Sequence, residues 1–139
     1  MADCVFCQIV NGKIPADKVF ENELFIVILD IHPASKGHSL VIPKKHVDRI
    51  TDMDDQLLGE MAAVAKKVAN GMQKSLGADG INFMVNNGKV AGQLIDHAHM
   101  HVIPRFSADK IDFGWNPHKY EANEIKELAE RIRNSIRII

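Results

Sequence analysis

Histidine and apolar residues alternate strictly from position 97 to 102, in the order His-Ala-His-Met-His-Val. Successive side chains of an extended chain point to opposite faces, so the pattern predicts a strand with three imidazoles on one face and an apolar core face. Pro104 lacks an N–H and is expected to stop this strand from continuing in a central ladder. The chain must therefore build a sheet that displays a row of imidazoles.

Three roles are open to this row: solvated polar residues, ligands of one metal ion, or nucleophilic catalysis. An ordinary exposed strand face more commonly carries Thr, Lys or Ser. At about 3.3 Å per residue, His97 and His101 lie roughly 13 Å apart, which is too far for one ion to bind all three rings comfortably. Neutral imidazole is a good nucleophile, and flanking histidines can fix its tautomer and donate hydrogen bonds to an anionic oxygen. Catalysis is the favoured role.

The stretch 97–103, preceded by Gly92 and Gln93, resembles the signature of the histidine-triad (HIT) family. Segment 37–46 resembles a second block of that family, and the resemblance covers positions 4–105. Family members are nucleotide hydrolases and transferases that act at the α-phosphate. The resemblance implies an adenosine-type purine nucleotide as substrate and a nucleoside phosphoramidate as the bond cleaved. A histidine at the third triad position, rather than glutamine, favours hydrolysis over transfer to a sugar phosphate.

By this resemblance His99 attacks the α-phosphate, and water then releases a nucleoside monophosphate from the nucleotidyl-histidine. His97 would hold the surroundings of His99, while His101, His38 and Gln93 would stabilise charge on the phosphoryl oxygens. Donors placed in this way can replace magnesium, so no Mg²⁺ requirement is expected. The catalytic residues implied are His99, His101, His38 and His97.

The resemblance also implies a set of substrate contacts. Asp30, at the end of an apolar strand, would accept the ribose hydroxyls, although a turn residue is the alternative. Asn86 and Gln93 would contact the phosphate or the leaving group, again with a turn role as the alternative. Glycines at positions 88–92 let backbone N–H groups approach an anion closely. The substrate-binding residues implied are Asp30, Ile31, Asn86, Gly92, Gln93, His99 and His101.

One departure from the family pattern is Leu94, where a Ser or Thr often follows the Gly-Gln pair. Leu94 therefore leaves undecided which leaving group the substrate carries. Hydrolysis of dinucleoside polyphosphates is therefore the alternative activity. A nucleotide- or zinc-binding regulatory module with little turnover, and a metal hydrolase that uses the triad as ligands, are alternatives of other classes.

Cys4 and Cys7 form a Cys-x-x-Cys pair at the start of the chain. The pair comes too early to follow the strand of a thioredoxin-like motif, and such a turn commonly supplies half of a four-ligand zinc site. Two free thiols are the alternative. His46 and His97 are candidates for the other ligands, and the resemblance implies structural zinc bound by Cys4, Cys7, His46 and His97.

Hydrophobic patterns predict an α+β fold: an antiparallel, meander-like sheet with one long helix and a C-terminal helix. The long helix is expected to begin at Thr51 or Asp52 and to end at Gly77, and the last helix to cover 123–138. Residues 8–23 are expected to form a helical turn and a bend. The remaining predicted strands cover 25–30, 38–43 and 81–86. The family implies a homodimer whose sheet is continuous across both subunits.

At 139 residues and 46% hydrophobic, the chain is long enough for one domain, 1–139, with a substantial core. A net charge of −1 with mixed signs argues against general nucleic-acid binding. The sequence shows neither a membrane-length apolar run nor a signal peptide, so a cytoplasmic protein without membrane partners is expected.

Overall fold

The computed structural model describes residues 3–137, which form one five-stranded antiparallel sheet and three α-helices. The sheet order is β1-β2-β3-β5-β4. Two 3₁₀ turns cover Ile50–Asp52 and Lys89–Ala91. The elements are α1 Val5–Val10, β1 Lys18–Glu21, β2 Phe25–Leu29, β3 Ser39–Pro43, α2 Asp55–Leu76, β4 Gly80–Met84, β5 Met100–Arg105 and α3 Glu124–Arg137.

The predicted α+β class with an antiparallel sheet is confirmed. The first three strands form a meander, whereas β5 inserts between β3 and β4 after the chain has crossed through α2. Strand β1 is absent from the prediction, which placed a bend there. It is a four-residue edge strand with a register shift between Lys18 and Phe20. Because most of its side chains are exposed, its sequence lacks the apolar alternation that would have predicted a strand.

Both faces of the sheet are covered. Side chains from alternate positions of β2 enter two separate cores: Phe25 and Val27 pack with α2, whereas Ile26 and Ile28 pack with α1. This arrangement explains why β2 and β3 read as continuous apolar runs rather than alternating ones. The histidine row shares the α1 face, so the small helix α1 lies over the candidate site.

Helix α2 packs an apolar stripe that includes Met61, Val68 and Met72 against the sheet, as the spacing predicts. Its N-cap is Asp54, whose carboxylate accepts from the N–H groups of residues 56 and 57. The predicted caps Thr51 and Asp52 are wrong, because these residues lie in the preceding 3₁₀ turn.

The histidine strand differs from its prediction at its first residues and agrees with it at Pro104. Regular β5 begins only at Met100, yet Ala98 donates its N–H to the Val47 carbonyl at 2.7 Å and keeps the side-chain alternation intact. At the other end β5 runs on to Arg105, but Pro104 does not lie in a central ladder, as predicted. Pairing with β3 ends at Val102, so Pro104 faces only β4 and its missing N–H removes no bond to β3.

The C-terminal helix α3 is confirmed at Glu124–Arg137, and position 138 of its predicted span lies outside the described residues. Ile125, Ile132 and Ile136 are each more than half exposed on it. Within the described part of the chain, no helix combines the length and apolar character needed to cross a membrane.

Candidate functional site

A pocket of about 460 Å³ opens between α1 and the histidine row. Its lining combines many apolar side chains with a few polar groups. This combination is typical of small-molecule sites, which are mostly apolar with a few polar groups that fix orientation. The apolar lining residues include Phe6, Ile9, Ile28, Ile31 and Leu40, and the polar ones include Asp30, Asn86, His99 and His101.

His99 is held in one tautomer by its own strand. Its Nδ1 lies 2.8 Å from the carbonyl oxygen of His97, and because a carbonyl only accepts, Nδ1 must carry the proton. Burial lowers the pKa of His99 below its ordinary value, although the carbonyl bond opposes the shift. The neutral ring therefore has a free lone pair on Nε2, as a nucleophile requires.

His101 acquires the opposite tautomer through His38. The backbone N–H of Ala34 donates to His38 Nδ1 at 3.0 Å, so the neutral His38 ring carries its proton on Nε2. That proton is donated to His101 Nδ1 at 2.9 Å, which leaves an N–H on His101 Nε2. Burial, followed by the neighbouring His99 and His38, lowers the pKa of His101 to about 4. The row thus presents a lone pair and an N–H side by side, on rings 5.0 Å apart.

Asp30, His38 and His101 lie close enough to be considered as ligands of one metal ion. The hydrogen-bond chain disfavours this role, because a metal on His38 Nε2 would place the ring proton on Nδ1, opposite the Ala34 N–H. One oxygen of Asp30 accepts from the His32 N–H at 2.8 Å, and the other lies 3.6 Å from His38 Nε2. Asp30 is therefore a turn residue that also lines the pocket.

A second group of ligand atoms joins α1 to the histidine row. Cys4 Sγ lies 3.3 Å from His97 Nδ1, and Cys7 Sγ lies 3.3 Å from His46 Nδ1 and 3.6 Å from His97 Nδ1. A tetrahedral zinc ion holds sulfur and nitrogen ligands about 3.6 Å apart. All four ligand atoms lie within 4.8 Å of one another. The predicted ligands therefore meet in one place at distances that suit zinc.

The orientation of the two imidazoles also suits a metal. His97 Nε2 donates to the Pro43 carbonyl at 2.7 Å, and His46 Nε2 lies 2.6 Å from a carboxylate oxygen of Asp48. Both rings therefore direct the lone pair of Nδ1 at the cysteines. Burial, helped by Cys4, raises the pKa of Cys7, so an incoming metal ion must displace a thiol proton.

Phe6 was not predicted as part of the site. Its ring, 3% exposed, meets His99 edge to face at a centroid distance of 5.1 Å and His97 at 5.8 Å. It lies between the two cysteines in sequence, so a metal bound to them would hold it against His99. The only signal in the sequence is an apolar residue inside the Cys-x-x-Cys pair.

The structure does not bring the Gln93 amide to the pocket, although a phosphate contact was expected. Gln93 is 1% exposed and donates to the carbonyls of Asp48 at 2.6 Å and Ile95 at 3.0 Å, while its oxygen accepts from the Gly88 N–H at 2.8 Å. With both donors occupied, its amide holds the backbone beside the site.

The other expected contacts lie at the pocket. Asn86 and Gly92 line it together, with Asn86 Nδ2 donating to the Gly92 carbonyl at 3.4 Å. Gly92 has a φ of 100°, which favours glycine. Ile31 is 84% exposed at the pocket wall, and Leu94 is 89% exposed beside it. Leu94 places an apolar side chain where a hydroxyl was considered.

Residues 11–108 match the HIT domain. The adenosine 5′-monophosphoramidase of Schizosaccharomyces pombe is 38% identical over 135 residues, covering 96% of this chain and 98% of that protein. A Streptococcus mutans crystal structure superposes with a TM-score of 0.92 at 43% identity, covering 98% of this chain and 87% of that one. A zinc-bound histidine triad protein from Mycobacterium smegmatis has a TM-score of 0.78 at 39% identity, covering 96% and 98% of the two chains. Together with the geometry of the row, these similarities show that the chain belongs to the HIT family.

Proposed function

We propose that this protein hydrolyses adenosine 5′-phosphoramidates, or related nucleotides, at the α-phosphate. The observation that carries the proposal is the pairing of an Nε2 lone pair on His99 with an Nε2–H on His101 in one pocket. The apolar lining suits a purine base, and about 460 Å³ is within the range of small-ligand sites, about 300–1,000 Å³. The similarity to a phosphoramidase supports the same activity.

The reaction proceeds in two displacements. His99 Nε2 forms a bond to the α-phosphorus, and the bond from phosphorus to the leaving nitrogen breaks. The leaving nitrogen takes up a proton from solvent, while the Nε2–H of His101 donates a hydrogen bond to a phosphoryl oxygen and stabilises its charge. Water then forms a bond to the phosphorus and the bond to His99 Nε2 breaks, which releases AMP, returns one proton to solvent and restores neutral His99. A covalent intermediate replaces one difficult displacement by two easier ones.

The remaining residues bind or orient. His38 sets the tautomer of His101, and His97 sets that of His99 through its carbonyl. The Asp30 oxygen that is not used in the turn accepts from the ribose hydroxyls. Ile31 contacts the nucleoside, and Asn86 and Gly92 contact the phosphate. Gln93 acts on the site only through the backbone that it holds.

Cys4, Cys7, His46 and His97 would hold a zinc ion in this proposal. The Mycobacterium smegmatis relative is zinc-bound, and the donor set and distances here suit the same metal. Four protein donors are typical of structural rather than catalytic zinc, so a zinc ion held there would stabilise the fold and take no part in the reaction. It would hold α1 in place through Cys4 and Cys7, and with α1 the Phe6 side chain that lines the pocket.

The test measures AMP release from adenosine 5′-phosphoramidate without added Mg²⁺, in wild type and His99→Ala. The matched control is His118→Ala, which removes an exposed histidine away from the pocket. Loss of more than about 10³-fold in His99→Ala only, with a nucleotidyl-protein trapped in wild type, is expected. Equal rates in both proteins would overturn the mechanism.

If wild type is active only on dinucleoside polyphosphates, these would take the place of phosphoramidates as the proposed substrate. Wild type that binds AMP but releases no product from either substrate would favour a regulatory module. We also expect a homodimer with a sheet continuous across subunits, and light scattering at working concentration tests the oligomeric state.

A further inference from the structure

We propose that Asp48 is a positioning residue of the zinc site, acting through His46; this inference rests on the zinc site proposed above. Asp48 Oδ1 lies 2.6 Å from His46 Nε2, on the side of the ring opposite Cys7. No expectation from the sequence included Asp48. In a carboxylate–histidine–metal chain, Asp48 would be the carboxylate and His46 the histidine that binds the metal.

The chemistry of imidazole gives this contact its consequence. A neutral imidazole carries one proton, and a carboxylate can only accept, so the contact holds that proton on Nε2. The lone pair of Nδ1 is then fixed in the direction of Cys7 Sγ, 3.3 Å away. A carboxylate partner also makes the ring a more basic ligand.

The two histidines of the cluster differ in this respect. The Nε2 of His97 donates to the neutral carbonyl of Pro43, whereas the partner of His46 is a charged side chain. His97 is fully buried, but the His46 side chain is 17% exposed. An exposed ring has fewer packing contacts to orient it, so His46 depends more on its hydrogen-bond partner.

The backbone around Asp48 is anchored to the histidine strand. The Asp48 carbonyl accepts from Gln93 at 2.6 Å, and the preceding Val47 carbonyl accepts from the Ala98 N–H at 2.7 Å. The Asp48 side chain itself is 58% exposed. Truncating this side chain therefore removes the contact to His46 without opening the core.

A plain surface ion pair is the competing interpretation, and such a pair contributes little to stability whether or not a metal is bound. Asp96 provides the matched control. It lines the same groove as His46 and Asp48, and within the described hydrogen bonds it is not a partner of His46. Asp96→Asn thus removes one negative charge near the metal cluster but leaves the tautomer of His46 unchanged.

The experiment measures zinc affinity by competition with a chromogenic chelator, using the full chain. Asp48→Ala is expected to weaken zinc binding by about 10–100-fold. Asp48→Asn should fall between Ala and wild type, since its amide oxygen accepts from Nε2–H but carries no charge. Asp96→Asn should change the affinity by less than about threefold. Equal affinities for Asp48→Ala and Asp96→Asn would overturn the inference.

Two further measurements separate positioning from a merely structural role. The metal-free variant Asp48→Ala should melt at the wild-type temperature, and only its stabilisation by zinc should shrink. Nitrogen chemical shifts of His46 should report the Nε2–H tautomer in metal-free wild type and a mixture in Asp48→Ala. An unchanged tautomer would contradict the inference. Wild type that binds no zinc would overturn the metal site and, with it, the role of Asp48.

Discussion

Replacing Gln93 by methionine tests whether this residue orders the backbone or contacts the phosphate. Met has a similar length and fills the buried space but makes none of the three amide hydrogen bonds. The substitution would leave the Gly88 N–H and the carbonyls of Asp48 and Ile95 without their partner. Their loss should destabilise the fold as a whole.

The expected magnitude follows from these bonds. Each hydrogen bond contributes about 1 kcal/mol net, so three give about 3 kcal/mol. Gly88 and Ile95 are only partly buried, so water can reach some of the released groups and prevent a larger loss. With a urea dependence of about 1–3 kcal/mol per M, the unfolding midpoint should fall by about 1–3 M.

The assay is urea unfolding of both proteins at saturating zinc, followed by phosphoramidate hydrolysis well below either transition. Gln56→Met is the matched control, since Gln56 is exposed on α2, and its free energy of unfolding should stay within about 0.5 kcal/mol of wild type. Gln93→Met with wild-type stability but a hydrolysis rate reduced by more than tenfold would refute the backbone role. That outcome would restore the phosphate contact expected from the sequence.

Two other predictions concern stability. Asp54→Ala should lower the free energy of unfolding by about 1 kcal/mol, because it removes the N-cap of α2, whereas Asp52→Ala should have little effect; equal losses on urea unfolding would contradict the assigned cap. Burial holds the pKa of His38 below its ordinary 6.5 and that of His101 at about 4, so the unfolded chain binds more protons between those values. The free energy of unfolding should therefore fall as the pH drops from 6.5 toward 4, and it should fall less steeply in His101→Asn. Urea unfolding of both proteins at several pH values measures this, and an equal dependence of the free energy on pH in the two proteins would contradict this account.

The sequence was informative wherever the controlling interaction is local. Strict alternation at 97–102 placed three imidazoles on one sheet face, and Ala98, Met100 and Val102 do enter the α2 core. The three- and four-residue spacing in α2 gave its buried face, and Gly77 ends it with a φ of 68°. These features follow from the strand and helix periods, which neighbouring residues alone determine.

Only the tertiary structure decided what each polar group does. The tautomer of His101 depends on His38, 63 positions away, and on a backbone N–H of a loop that no periodicity predicts. Gln93 was expected at the phosphate, yet its donors are taken by carbonyls that the chain brings to it, one of them 45 residues distant. Periodicity determines the face on which a side chain lies. Hydrogen bonds between distant segments determine which atom it presents, because a buried polar group takes the partners that the fold places beside it.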